Sequence, residues 1–375
     1  MTESTKSFVR ALLPERRAAM AAALMLAVFA IGWRIPLPGL DLDRFLPLDF
    51  RSGDVAARLS IFALGVFPLF TILAHVEFAK LVFPPLAKWQ TDSSGNARRL
   101  AVIVLAMSLL LVAWQGHGVL MALEAGAGVR PDAIGFVPVG LASFIASMAV
   151  IIWLADGFRS PDLGDGFWLL MAIPLIADFP GLTFAGIQLV RIGAISASQL
   201  LIVGLAVAAA MALVVFANLL LSMNGRSDGV ERTSILLWPP HLANVLAGYA
   251  FLALPTYLVL PAQTPIWPFV APSFPQVILL AFIVVCIPIL VFAYARSFRL
   301  SRREDSGLWP TPVLLGVAAI QIILCLGATL LPAYWGLPPN VSGGDLLIVG
   351  TVMLALRRPL SLSLGRTTAT RTAER

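Results

Sequence analysis

Apolar runs of membrane-crossing length follow one another along nearly the whole chain, with short polar stretches between them. A bilayer core about 30 Å thick takes roughly 20 apolar residues per helix. Ten segments come near that length: approximately 18–35, 61–83, 99–122, 133–154, 166–189, 199–223, 235–260, 276–296, 311–333 and 343–356, the last of them short. The pattern predicts an all-α polytopic membrane protein of about ten transmembrane helices, folded as a single membrane domain over 1–375. Ten helices divide into two halves of five, about 1–190 and 199–375, a split compatible with an inverted repeat. The fifth segment contains Pro174, Asp178 and Pro180, and the seventh contains Pro239 and Pro240. These residues predict broken helices, which a membrane protein tolerates where protein or a hydrated cavity satisfies the freed backbone groups. The first run leads into Arg34 and Pro36 rather than a small-residue cleavage site, so it reads as a retained helix.

Two stretches fit neither helix nor tight turn. Residues 36–59 are too polar to span and too long for a simple turn, which suggests a small folded or re-entrant element. Residues 261–275 carry prolines and no charge, as suits a loop lying on the outer face.

Charge sets the orientation. With the N-terminus inside, 20 of the 26 Lys and Arg residues fall on the inner side and 6 on the outer side. This bias places both termini in the cytoplasm. Of the 375 residues, 59% are hydrophobic and 12% charged, whereas a soluble domain carries roughly 25% charged residues. A lipid-facing surface accounts for the shortfall. The net charge of +6 does not point to nucleic acid, because the basic residues lie in the loops between apolar runs. Cys286 and Cys325 sit inside apolar runs and form neither a metal motif nor a disulfide framework.

Signals for catalysis are weak. The chain has no Walker loop, HEXXH motif or nucleophile elbow, and no cofactor or metal is expected. His75 and Glu77 would lie about 200° apart on a helix, so they cannot chelate one ion. Asp165, between Gly164 and Gly166, reads as a residue at a helix N-terminus, where an acidic group favours the positive end of the dipole. The polar residues inside apolar runs are more informative: Glu77 and Lys80 in segment two, Asp178 in segment five, His241 and Asn244 in segment seven. A charge at mid-bilayer costs at least about 2.5–3.5 kcal/mol. Two readings stay open. Glu77 and Lys80 form an i,i+3 ion pair near the inner membrane surface, or segments two, five and seven border a hydrated path.

Some strings are similar to those of a known family. Trp33-Arg34-Ile35-Pro36-Leu37-Pro38-Gly39-Leu40-Asp41 resembles the end of the first helix of SecY-type preprotein translocase channels. Ser60-Ile61-Phe62-Ala63-Leu64-Gly65-Val66-Phe67-Pro68 resembles the start of their second helix. Leu163-Gly164-Asp165-Gly166 and Gly343-Gly344-Asp345-Leu346-Leu347-Ile348-Val349 resemble the approaches to helices five and ten. The resemblance implies ten helices in two inverted halves around an hourglass channel that passes or inserts polypeptides. It implies a channel rather than an enzyme, in the bacterial inner membrane. Its pore ring would be Phe70, Ala74, Phe167, Met171, Ile348 and, in helix seven, Tyr249 or Leu246. Its plug would lie within about 42–59, including Phe50, Arg51, Ser52, Gly53 and Asp54. Its lateral gate would join helices two and seven, with Glu77 where the family has glutamine and His241 where it has asparagine, and Asn244 close by. An acid facing an imidazole there would latch the gate by a charge-assisted hydrogen bond.

Departures from the family bear on partners. The resemblance implies SecE-like and SecG-like small subunits, membrane lipids, and docking of SecA or the ribosome on long cytoplasmic loops. Here those loops are short, about Asn224–Thr233 and Arg296–Trp309, with Arg299, Arg302 and Arg303 keeping charge in the second. Docking of SecA or a ribosome is therefore doubtful. A solute transporter built around Asp178 and a non-conducting SecY-like scaffold or chaperone are the alternative readings. The charge split predicts that a reporter fused after Arg366 is cytoplasmic and one inserted in 261–275 is external. A periplasmic C-terminus in alkaline phosphatase fusions would contradict the ten-segment count.

Overall fold

A computed structural model describes residues 20–41, 59–126, 128–223, 228–253, 274–302, 309–334 and 342–356. Helices α1 (Met20–Gly32), α2 (Phe67–Val82), α3 (Pro84–Asp92), α4 (Ser94–Ala125) and α5 (Phe136–Gly157) come first. Strands β1 (Arg159–Ser160) and β2 (Gly164–Asp165) follow, then α6 (Phe167–Arg191), α7 (Ala197–Ser222), α8 (Gly229–Ala253), α9 (Phe274–Arg302), α10 (Thr311–Tyr334) and α11 (Gly343–Leu356).

Each of the ten apolar segments carries a helix. Among the described residues, six helices have the length and composition to cross a membrane: α4, α5, α6, α7, Leu280–Leu300 within α9 and Thr311–Leu331 within α10. The pair α2–α3 would be a seventh, but it bends by 107° at its junction. The bend has a local cause. Pro84 disfavours helical backbone at Phe83 and ends α2, yet proline suits the first position of the helix that starts anew. The shorter α1 and α11 are apolar, and α8 is long but polar at its start, with Glu231 and Arg232.

The expected breaks in segments five and seven are not found. α6 runs unbroken through Pro174 and Pro180, and α8 through Pro239 and Pro240. In α8 the reason is visible. Backbone N–H groups at 239 and 240 would bond the carbonyls of Ile235 and Leu236, and proline has none to give. The buried side chain of Gln321, on α10, donates to both carbonyls at 2.9 Å.

The chain forms two compact units. The first comprises residues 1–75, 90–184 and 355–375. In it Phe29 of α1 is fully buried and packs on Phe62 and Trp33, with ring centroids 5.4 and 5.1 Å away. α4 and α5 exchange small and large side chains: Gly116 faces Phe144, and Gly140 faces Leu120. Such gaps let helices approach closely where lipid supplies no hydrophobic drive for association. Residues 36–41 form part of the small element expected over 36–59. Pro36 bridges Ser60, Leu40 bridges Val129, and Leu37 N–H donates to Leu59 at 2.9 Å. Gly39, at φ 88, turns the chain between these bridges. Positions 42–58 lie outside the described residues, as do 261–273 of the expected outer loop.

The second unit comprises residues 76–89 and 185–354. Here α8 packs on α7, α9 and α10, and α10 also packs on α7 and α9. Trp309 Nε1–H reaches back to the Leu221 carbonyl at 2.9 Å, satisfying one of the groups orphaned at the end of α7. Ser196 and Gln199 form a capping box on α7. At the start of α11, Ser342 and Asp345 bond each other's backbone N–H reciprocally, at 2.8 and 3.1 Å.

Gly343 lies so close to the α10 backbone that a Cβ would collide with Cys325. Gly343→Ala is therefore expected to lower stability by roughly 1–3 kcal/mol, the range for overpacking. Gly118→Ala, whose methyl meets nothing within 4 Å, should change it by less than about 0.5 kcal/mol. Thermal unfolding of both purified variants in detergent checks the pair.

Candidate functional site

In the first unit the structure brings together side chains that sequence reasoning set on segments two and five. Phe70 of α2 and Phe167 of α6 stack with parallel rings, their centroids 6.4 Å apart and their planes inclined by 2°. Trp168 meets Phe167 edge-on at 4.9 Å. Ala74, one turn beyond Phe70, is fully buried, and Met171, one turn beyond Phe167, is partly buried. Aromatic pairs of this kind contribute about 0.5–1.5 kcal/mol beyond their buried area.

The approach to α6 holds Phe167 in place. The β1–β2 hairpin pairs Arg159 with Asp165, and Asp165 Oδ1 accepts from Phe167 N–H at 3.1 Å. Asp165 thus serves the helix N-terminus, as its flanking glycines suggested. Burial pushes its carboxyl above the usual carboxylate range, against the opposing effect of that hydrogen bond. Gly166 N–H donates to Ala155 at 2.8 Å, and a side chain at this position would strike Met25 and Phe158.

The second unit contains the other candidates. Ile348 of α11 is fully buried, whereas Tyr249 of α8 is 49% exposed. Glu77, on the last turns of α2, pairs with Lys80 at 2.6 Å, with their side chains 20% and 16% exposed. The i,i+3 ion pair anticipated from sequence is therefore present. The second carboxylate oxygen accepts from the Tyr294 hydroxyl of α9 at 3.3 Å. Tyr294 is almost fully buried and was not singled out by sequence; it stands 217 positions from Glu77. A buried charge holds when it is paired and its remaining lone pairs are met, and this carboxylate has both supports.

The imidazole of His241 bonds within its own helix. Its Nδ1 lies 2.6 Å from the Leu237 carbonyl. A carbonyl only accepts, so Nδ1 carries the proton. The ring also fills the space left by Gly344, where a Cβ would stand 3.1 Å from it. Glu77 thus bonds α2 to α9. Asn244, one turn beyond His241, is partly buried. The glycines and aspartate that open α11 have physical roles here: Gly343 admits α10, Gly344 admits His241, and Asp345 caps the helix.

Arg299 and Arg302 lie on the end of α9, so much of the expected second loop is helix. Phe50, Arg51, Ser52, Gly53, Asp54 and Arg303 lie outside the described residues. His75, which sequence reasoning left without a role, donates Nδ1–H to Thr71 on its own helix at 2.6 Å.

These contacts generate a discriminating double-mutant cycle. Glu77→Gln and Tyr294→Phe should couple by about 0.5–1.5 kcal/mol in unfolding free energy, the worth of one hydrogen bond. Glu77→Gln and His241→Asn should add within about 0.5 kcal/mol. Coupling in the second pair and additivity in the first would reverse the assignment.

Comparison with known proteins follows the same lines. A family model described as SecY matches residues 60–302. The protein translocase subunit SecY of Pseudomonas aeruginosa is 25% identical over 205 residues, which are 52% of this chain and 46% of that one. The chain spans about half the length of the curated relatives it matches. Among solved structures, a SecY whose plug domain is described as stabilising the closed channel and maintaining a membrane seal aligns with TM-score 0.55 and 12% identity, over 91% of both chains. Sec61 in the canine ribosome–channel complex from the endoplasmic reticulum aligns with TM-score 0.52 and 14% identity, again over 91% of both. At these identities the likeness is one of fold: an all-α, multi-pass membrane architecture.

Proposed function

This chain belongs to the SecY family, and from that premise we propose that it is a protein-conducting channel subunit through which polypeptides cross or enter the membrane. The observation that carries the reading is the parallel Phe70–Phe167 stack, backed by fully buried Ala74, at the positions where the family narrows its pore. An apolar constriction gates by dewetting: it excludes ions and water, yet yields to a chain passing through. Met171, Ile348 and Tyr249 are proposed for the ring on the family resemblance alone. The work asked of these side chains is exclusion and accommodation, with no bond made or broken and no cofactor.

The plug is proposed for 42–59. Hydrogen bonds from Leu37 N–H to Leu59 and from Ile61 N–H to Ile35 support this by pairing the residues that flank the stretch. The lateral gate is proposed for Glu77, His241 and Asn244, with the Tyr294 hydroxyl holding the carboxylate. The two halves are proposed as about 1–190 and 199–375. Both termini are proposed to face the cytoplasm of a bacterial cell, with the channel in the inner membrane. SecE-like and SecG-like subunits are the proposed membrane partners. Sec61 is found with a ribosome in a structure of similar fold, and Arg299, Arg302 and Arg303 are the basic residues here that a cytoplasmic partner would meet.

A second reading, a non-conducting scaffold, is favoured by one observation: the shortness of the loops around Asn224–Thr233 and Arg296–Trp309. The solute-transporter reading loses its main support, because α6 and α8 are unbroken. Conductance separates the first two. Deleting residues 50–58 should raise ion leak through the reconstituted protein in planar bilayers. Unchanged conductance would favour the scaffold, because a packed bundle has no seal to lose.

A further inference from the structure

α8 carries two adjacent prolines in its middle and remains a helix. Prolines in a helix interior leave the carbonyls four residues back without donors. In α8 these are the carbonyls of Ile235 and Leu236, both on fully buried residues. The side-chain amide of Gln321 donates to these same two oxygens, each at 2.9 Å. A primary amide has two N–H groups on one nitrogen, and both are used. Its own oxygen is buried without a hydrogen-bond partner, and the whole side chain is fully buried. An acceptor left in that state is costly, so an apolar residue would suit the position better if packing were its task. Two donors on one planar nitrogen are what this site uses. Carboxylates lack them, and serine or threonine has one.

We propose that Gln321 is the positioning residue of α8: it replaces the two backbone donors removed by Pro239 and Pro240, holds the helix straight through them, and so sets the direction of His241 and Asn244. These residues follow the prolines immediately, and any bend at the pair would swing them. The inference deepens the gate proposed above and takes its functional meaning from it. Its test is read on the helix itself, so failure here and failure of the channel reading are distinguishable. Loss of the two side-chain bonds frees α8 to bend at a defined point.

The test measures the distance across the hinge by pulsed electron spin resonance, with spin labels on Val230→Cys and Gly248→Cys. Val230 is exposed, and a side chain at Gly248 meets nothing within 4 Å. Cys286 and Cys325 are replaced by alanine, and the full chain is reconstituted in lipid. A straight helix separates the labelled Cα atoms by about 27 Å, and one narrow distribution is expected. Gln321→Leu should broaden and shorten it. Pro239→Ala with Pro240→Ala restores the backbone donors, and in that background Gln321→Leu should leave the distribution narrow. If Gln321→Leu alone does not fold, recovery of folded protein in the triple variant supports the proposal, and failure to recover overturns it. An unchanged distribution in Gln321→Leu, or a triple variant as broad as the single one, also overturns it.

Discussion

A helix in lipid has no water to finish its hydrogen bonds, so every backbone group that loses its partner must find another within the protein. An unmet buried carbonyl costs about 1–3 kcal/mol, and two of them would weigh heavily against a total stability of about 5–15 kcal/mol. Among the described residues, several places where the backbone departs from a plain helix show how this constraint is met. Gln321 serves the carbonyls freed by the α8 prolines. Trp309 serves the end of α7. Capping boxes open α7 and α11. The irregular residues around 36–41 bond to 59–61 and 128–130 rather than stand unpaired. In α8, three consecutive residues include two prolines and a histidine, and Gln321 lets them lie on one continuous helix.

Packing and charge follow from the same environment. Because lipid gives helices no hydrophobic reason to associate, close contact has to supply the attraction. Glycines at 116, 140, 343 and 350 receive a neighbour's side chain or backbone, and larger residues there would push the elements apart. Glu77 is tolerated because Lys80 neutralises it and Tyr294 bonds its second oxygen. The arrangement also ties the end of α2 to α9. That link matters for the proposed gate, since α9 ends in the basic residues Arg299 and Arg302.

Much of the fold was legible in the sequence, because length and hydrophobicity follow directly from bilayer thickness. All ten segments carry helices, and the Glu77–Lys80 pair was readable from its spacing. What could not be read depended on distant residues. Pro239 and Pro240 signal a break when read locally; the side chain that prevents it stands more than 80 positions later. Tyr294 looks like one more aromatic in an apolar run. Segment two was expected from residue 61, but 59–66 is taken up by turns and by pairing with the chain near Pro36. Of the candidate site, Phe70 and Phe167 came from family resemblance. Their stacking required the hairpin and the Asp165 cap that start α6 at Phe167. His241 was assigned a partner by analogy; its Nδ1 bond to the carbonyl one turn back is a local contact that the analogy did not include.

Membership of the SecY family and a fold shared with solved channels leave one central claim: that a polypeptide passes between the aromatic side chains of α2 and α6. Site-specific photo-crosslinking tests it most directly. A photoreactive residue is placed at Phe70 or Phe167, and at exposed Trp153 as a control, while a secretory polypeptide is stalled during export. The account predicts adducts between the stalled chain and positions 70 and 167, and none from 153. Equal labelling from all three, or adducts from 153 alone, would contradict it.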